Sequence, residues 1–183
     1  MAESTLFPPR PLAPTPEQIS SAMETCLLIQ RRALSMSKRP FAAILIGPDN
    51  TTVLLTHQSI DHVNHAESSL ARLAASHYTP AYLWQCTLYS TWEPCAMCAS
   101  TCYWANIGRI VYAASEARLL ELTGLGNEEN MTMAMGCRRV LEGSQKDLVV
   151  LGPLEDWEEV VVRESEEGYW KGVREAKERG ESA

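Results

Sequence analysis

His65, Glu67, Cys95 and Cys98 are the residues of this 183-residue chain whose types and spacing suit chemistry. They stand in two short runs, Asn64-His65-Ala66-Glu67 and Ser90-Thr91-Trp92-Glu93-Pro94-Cys95-Ala96-Met97-Cys98. Pro94 suits the first turn of a helix. That puts Cys95 and Cys98 three residues apart on one helical face, with their sulfurs at the positive end of the helix dipole. Such an end favours thiolates, the form of cysteine that binds metal. Asn64 can cap a second helix whose first turn carries His65 and Glu67, and side chains there lean back past the helix terminus. Two helix starts can then converge on one Zn²⁺ held by an imidazole and two thiolates. Three protein ligands leave a fourth position open, the arrangement of a reactive zinc rather than a structural one. Cys102 continues the cysteine face. It stands about 6 Å up the helix from Cys98, at about 1.5 Å per residue, which is too far to complete a closed four-ligand site.

His-x-Glu followed by Pro-Cys-x-x-Cys is the signature of zinc-dependent base deaminases, and the chain resembles the cytidine/deoxycytidylate deaminase-like superfamily. The run from Leu88 through Cys98, then Tyr103-Trp104-Ala105 and Arg109-Ile110-Val111-Tyr112, looks most like the guanine deaminase and tRNA adenosine deaminase branch. The resemblance extends from Phe41 to Tyr112. It implies an α/β fold, a three-layer α/β/α sandwich around a mixed five-stranded sheet. It also implies a zinc held by His65, Cys95 and Cys98, with Glu67 as the catalytic proton carrier. From the residues alone Glu67 has a second reading, as the glutamate of a capping box begun by Asn64.

The substrate implied by the resemblance is a planar amidine-type base, held by the backbone around Ala66 and Glu93 and by an asparagine ending the second strand. Gln58 is the nearest match to that asparagine. Gly124-Leu125-Gly126-Asn127 stands where guanine deaminases carry Phe-Asp-Asp. Substrate contacts are therefore expected from Gln58, Ala66, Trp92, Glu93, Trp104 and Asn127, with Trp92 and Trp104 either stacking on the base or packing as buried aromatics. The implied reaction is hydrolytic deamination of a free nucleobase or nucleoside, guanine-type or a related purine-like base, with release of ammonia. Cytosine-type and tRNA adenosine deamination are the enzymatic alternatives. A zinc-stabilised binding module without catalysis is the alternative of another class, and it would have no use for Glu67. A homodimer is implied as well.

The bulk properties agree with a compact enzyme. With 45% apolar and 21% charged residues the composition is that of an ordinary globular protein, and the length suits one domain. The 16 Lys and Arg against 23 Asp and Glu give −7, the wrong sign for a protein whose main partner is a phosphate backbone. Six cysteines without a secretory signal, two of them in ligand spacing, point to a reduced, cytoplasmic setting. No apolar run approaches the roughly 18 residues of a membrane span.

Elements to position the site follow from the pattern. Residues Met1 to Pro14, with four prolines, read as an extended arm, and residues 15–183 as one deaminase domain with a helical C-terminal tail. Thr15-Pro16-Glu17-Gln18 is a helix start with a capping box, and the helix ends near Ser35. Phe41–Ile46 and Thr51–Thr56 form a hairpin. The His65 helix follows, then a strand over Cys86–Ser90, the cysteine helix, and a strand over Ile107–Ala114. A short helix over Ser115–Leu122 leads to a loop at Thr123–Asn130. Asp147–Leu151 supplies a fifth strand, and Glu155–Glu181 a helix-prone acidic tail. Strands separated by helices imply crossovers and a partly parallel sheet. Cys26 and Cys102 are expected in the core.

Overall fold

The computed structural model describes residues 6–180. The part of the arm at residues 1–5 and the end of the tail at 181–183 lie outside the described residues. Helix α1 (Pro16–Ser35) opens as its sequence predicts: the Thr15 hydroxyl accepts the Gln18 N–H while Gln18 Oε1 accepts the Thr15 N–H. Such a box is worth about 1 kcal/mol. Ala22, Met23, Cys26, Leu27, Gln30 and Ala33 recur at three- and four-residue spacing and form its buried stripe.

Five strands form one sheet, β1 (Ala42–Ile46), β2 (Val53–Gln58), β3 (Thr87–Trp92), β4 (Arg109–Ala114) and β5 (Val149–Leu151), in the order β2-β1-β3-β4-β5. β1 runs antiparallel to β2 and β3, whereas β3–β4 and β4–β5 are parallel, so the sheet is mixed. Its central strands are buried along their whole length because both faces are covered. Ile44, Ile46, Tyr89 and Val111 point to a core shared with α1, with α5 (Glu116–Thr123) and with α7 (Glu155–Ser165). Ala43, Leu45, Leu88 and Ile110 point the other way, into a core shared with α2 (Ala66–His77), α4 (Ala96–Trp104) and α6 (Cys137–Leu141). Cys26 belongs to the first core and Cys102 to the second, both fully buried. The three-layer α/β/α architecture is thus as the sequence suggested.

Two helix starts differ from the sequence reading. Asn64 does not cap α2. Its side chain and N–H are bound by the Asp61 carboxylate, which also takes the Val63 N–H, and His65 occupies the cap position. Pro94 lies one residue ahead of the cap of α4, which is Cys95 itself. The capping-box reading of Glu67 fails with Asn64. Two short helices escaped the sequence reading, α3 (Pro80–Leu83) and α6. The tail is helical through α7, a π-helical turn at Glu166–Trp170 and α8 (Lys171–Glu178).

The described part of the arm lies against the body rather than away from it. Phe7 meets Trp84 edge to face, Arg10 stacks over the same indole, and the Pro11 carbonyl accepts from Arg109.

Candidate active site

The parallel strands β3 and β4 both point their C-terminal ends at one crevice, where open α/β sheets gather their functional groups. β3 delivers Glu93 and Cys95, β4 delivers Glu116, and α2 begins beside them with His65. A cavity of about 210 Å³ opens there, with Glu67, Trp92 and Glu116 among its lining residues.

His65, Cys95 and Cys98 offer one ligand atom each, all within 4.8 Å of one another. His65 Nδ1 is 3.6 Å from each sulfur. Its Nε2 lies 3.1 Å from the His62 carbonyl, which accepts the Nε2 proton and leaves the Nδ1 lone pair to the sulfurs. As the cap and third residues of α4, Cys95 and Cys98 bring their side chains together at the helix start without any help from Pro94. The hydrogen bond from the Cys98 thiol, assisted by His65, lowers the Cys95 pKa against the opposing effect of burial. The Cys98 thiol is pushed up because it holds the proton shared with Cys95. His65 is raised by its hydrogen bond to Cys95. An imidazole nitrogen and two cysteine sulfurs gathered at one point make a donor set that fits a single Zn²⁺. Cys102 stands apart from it in the core.

Glu67 sits beside this set, with Oε2 3.5 Å from Cys98 Sγ. Its Oε1 is 3.0 Å from Ser90 Oγ, which also meets the Trp92 carbonyl. Burial, then the neighbouring Cys95, raises the Glu67 pKa. Ser90 lay in the motif run but carried no role in the sequence reading. Its pairing with Glu67 depends on β3 passing under the start of α2.

Of the six expected substrate residues, Trp92 and Glu93 line the cavity, and Ala66 is buried at the first turn of α2. The Glu93 N–H is taken by the Ala114 carbonyl at 2.7 Å, so the backbone carbonyl alone is left for a ligand. The other three stand outside the residues that line this cavity. Gln58 pairs with Ala42 at the outer strand, its amide 3.4 Å from Met36 Sδ. Trp104 is 77% exposed at the far end of α4. Asn127 Nδ2 donates to the Thr123 carbonyl and shapes its own loop. The sequence reading missed residues that do line the cavity: Arg39, Phe41, Glu116 and Asn130–Met133. Arg39 lies 3.3 Å from Glu129, which the Tyr169 hydroxyl also reaches.

The Glu93 carboxylate holds the cavity wall. Oε2 accepts the Glu116 N–H at 3.0 Å and Oε1 accepts the Cys137 N–H at 2.7 Å, so one side chain caps the starts of both α5 and α6. Gly136 is required for that approach, since a Cβ there would meet Glu93 Oε1 at 2.9 Å.

A mixed sheet of this order, with an imidazole, two thiols and a buried glutamate gathered at its strand ends, defines the zinc-binding deaminase class of α/β proteins. The chain belongs to the cytidine and deoxycytidylate deaminase family, whose zinc-binding region matches residues 16–114. Among its relatives is a probable cytosine deaminase of Schizosaccharomyces pombe, 25% identical over 155 residues that make up 83% of this chain and 92% of the relative. The guanine deaminase of Bacillus subtilis is 32% identical over 90 residues, 45% of this chain and 54% of that enzyme. The chain spans only 21% of a tRNA(Ile)-lysidine synthase from Deinococcus deserti that it also matches. In fold it is similar to a guanine deaminase from Nitrosomonas europaea, with a TM-score of 0.60 at 22% identity, covering 89% of this chain and 90% of that one.

Proposed function

We propose that the protein is a zinc-dependent aminohydrolase that deaminates a free nucleobase or nucleoside, guanine-type or a related purine-like base, and releases ammonia. The observation that carries this reading is the Glu67 carboxyl, buried beside the His65, Cys95 and Cys98 group and open to the cavity. A binding module would have no reason to bury an acid beside its metal. Zinc, when bound by these three, supplies the Lewis acidity that brings the pKa of water down to about 7. Glu67 takes one proton of the attacking water and delivers it to the ring nitrogen beside the C–NH₂ carbon; it then takes the second proton from the hydroxyl now on that carbon and delivers it to the departing amine. Water and amino-base thus become oxo-base and ammonia. Ser90 holds Oε1 of Glu67, which leaves Oε2 towards the ligand group, and Trp92 walls the cavity with a flat apolar face.

Cytosine-type deamination is the second reading, favoured by the Schizosaccharomyces pombe relative that matches nearly its whole length. A guanine-type base has its own support, because a structural neighbour is described in complex with 8-azaguanine. Ammonia release from a panel of bases and nucleosides tests both, and absence of release from every one would refute the enzymatic reading.

The same reading takes residues 15–183 as one deaminase domain working in the cytoplasm. Among the described residues no helix is long and apolar enough to cross a membrane. The charge of −7 disfavours transfer RNA as substrate, and sub-micromolar anticodon-specific binding would overturn that. A homodimer involving the Tyr103 and Trp104 region is proposed from the resemblance. Sedimentation as a monomer at micromolar concentration would refute it.

A further inference from the structure

Two carboxyls besides Glu93 line the cavity, and only one of them has a partner within the protein. Glu67 is held by Ser90. Glu116 is 5% exposed, yet among the described residues its carboxyl makes no hydrogen bond and no ion pair; only its backbone N–H is engaged, by Glu93. Its oxygens are not sealed in the protein but reach the cavity, where a ligand can supply the partner that the protein does not.

Glu116 is no part of the group formed by His65, Cys95 and Cys98. On the deaminase reading, the amino group and the ring nitrogen next to it belong to Glu67 and the ligand end of the cavity. Glu116 therefore meets another edge of the ring. A free base always offers one there: the nitrogen that would carry the sugar in a nucleoside bears a proton and sits beside an acceptor. In cytosine this edge is N1–H next to C2=O and in adenine N9–H next to N3; in guanine, where N3 flanks the reacting carbon, it is N9–H alone. A carboxyl matches such an edge. One oxygen accepts the N–H whatever its protonation state, and in the neutral form the O–H donates to the neighbouring acceptor as well. Burial first, then the negative neighbours Cys95, Glu67 and Glu93, raises the Glu116 pKa to about 8, which favours that second bond. A nucleoside has no N–H at this position and would bring a ribose against a buried acid walled by Phe41, Trp92 and Leu119.

Resting on the proposed deaminase reading, we infer that Glu116 is a specificity-determining residue that accepts the glycosidic N–H of a free base, so that the substrate is the base and not its nucleoside. The test compares zinc-loaded wild type, Glu116→Ala and Glu116→Gln for equilibrium binding of cytosine against cytidine, guanine against guanosine and adenine against adenosine, followed by Trp92 fluorescence. Ammonia release and zinc content are measured on the same samples. Wild type is expected to bind at least one base more tightly than its nucleoside. In Glu116→Ala that preference should fall by about tenfold or more with zinc retained, and Glu116→Gln, which keeps one acceptor and one donor, should preserve it. An unchanged preference in Glu116→Ala overturns the inference but leaves the deaminase reading intact if ammonia is still released. Equal handling of base and nucleoside by wild type does the same. Failure of wild type to bind any base overturns both.

Discussion

On one side of the cavity His65, Cys95, Cys98, Glu67 and Ser90 are satisfied by one another at 3.0–3.6 Å, and each is placed by a strand end or helix start of the sheet sandwich. On the other side Arg39, Glu116 and the stretch Asn130–Met133 face the same space, but their places depend on the segment that leads into β1, on the start of α5 and on a long loop. The first side is a closed set of mutual contacts, with no substrate needed to complete it. The second contains a carboxyl with no protein partner and exposed methionines, 73% at Met131 and 61% at Met133. On the proposed function the contrast separates reaction from choice of substrate: the metal side would act on a C–NH₂ group, and the loop side would choose the ring presented to it.

Four experiments would break or sharpen that division. The largest effect belongs to the ligands: Cys95→Ala or Cys98→Ala should abolish zinc binding and activity together, whereas Cys102→Ala should keep one zinc per chain by elemental analysis. Two zincs, or loss of zinc in the Cys102 variant, would remove the three-ligand site. Next comes Glu67→Ala, expected to keep zinc and fold while turnover falls by about 10² or more. Collapse of its melting transition would instead make Glu67 a structural part of the metal side.

The third experiment reads the loop side through pH. In the folded chain Glu116 is raised to about 8 from an ordinary 4.5, so the folded state binds a proton that the unfolded state releases. The stability it contributes is whole below about pH 4.5 and is lost as pH climbs through about 8. Glu116→Gln lacks this loss. Zinc-stripped Glu116→Gln should therefore gain on zinc-stripped wild type between pH 5 and 8, by up to about 4 kcal/mol, and parallel melting curves against pH would refute the assignment. The smallest effect is at Gln58→Asn, where relative rates across the base panel should stay within about twofold, less than one hydrogen bond would give. A larger change would bring the end of β2 into the cavity.

The metal side was legible in the sequence because its chemistry is local. His-x-Glu and Cys-x-x-Cys each need only a helix start, and the strands before them alternate or run apolar in ways a period of two reveals. Even there the register was off by one. Asp61 claims Asn64, so His65 caps α2; Cys95 likewise caps α4 in place of the residue after a helical proline. The second strand runs two residues past Thr56, which puts Gln58 in the ladder opposite Ala42. Glu116 and Arg39 carried no usable signal, since nothing in their neighbours says that a strand end and the segment before β1 will face the same hollow. α6 was invisible for a related reason: its start is capped by Glu93, a residue far away in the chain.

That single carboxylate gives the molecule something like a socket. Because Glu93 takes the first N–H of α5 with one oxygen and that of α6 with the other, everything between them is anchored at two points on the residue that precedes Pro94 and Cys95. The loop after α5 can therefore vary while the helices on either side of it stay tied to Glu93. In evolutionary terms the loop behaves as an exchangeable cartridge. On the proposed function, descendants of such a scaffold could try new rings in the hollow while His65, Glu67, Cys95 and Cys98 keep their geometry.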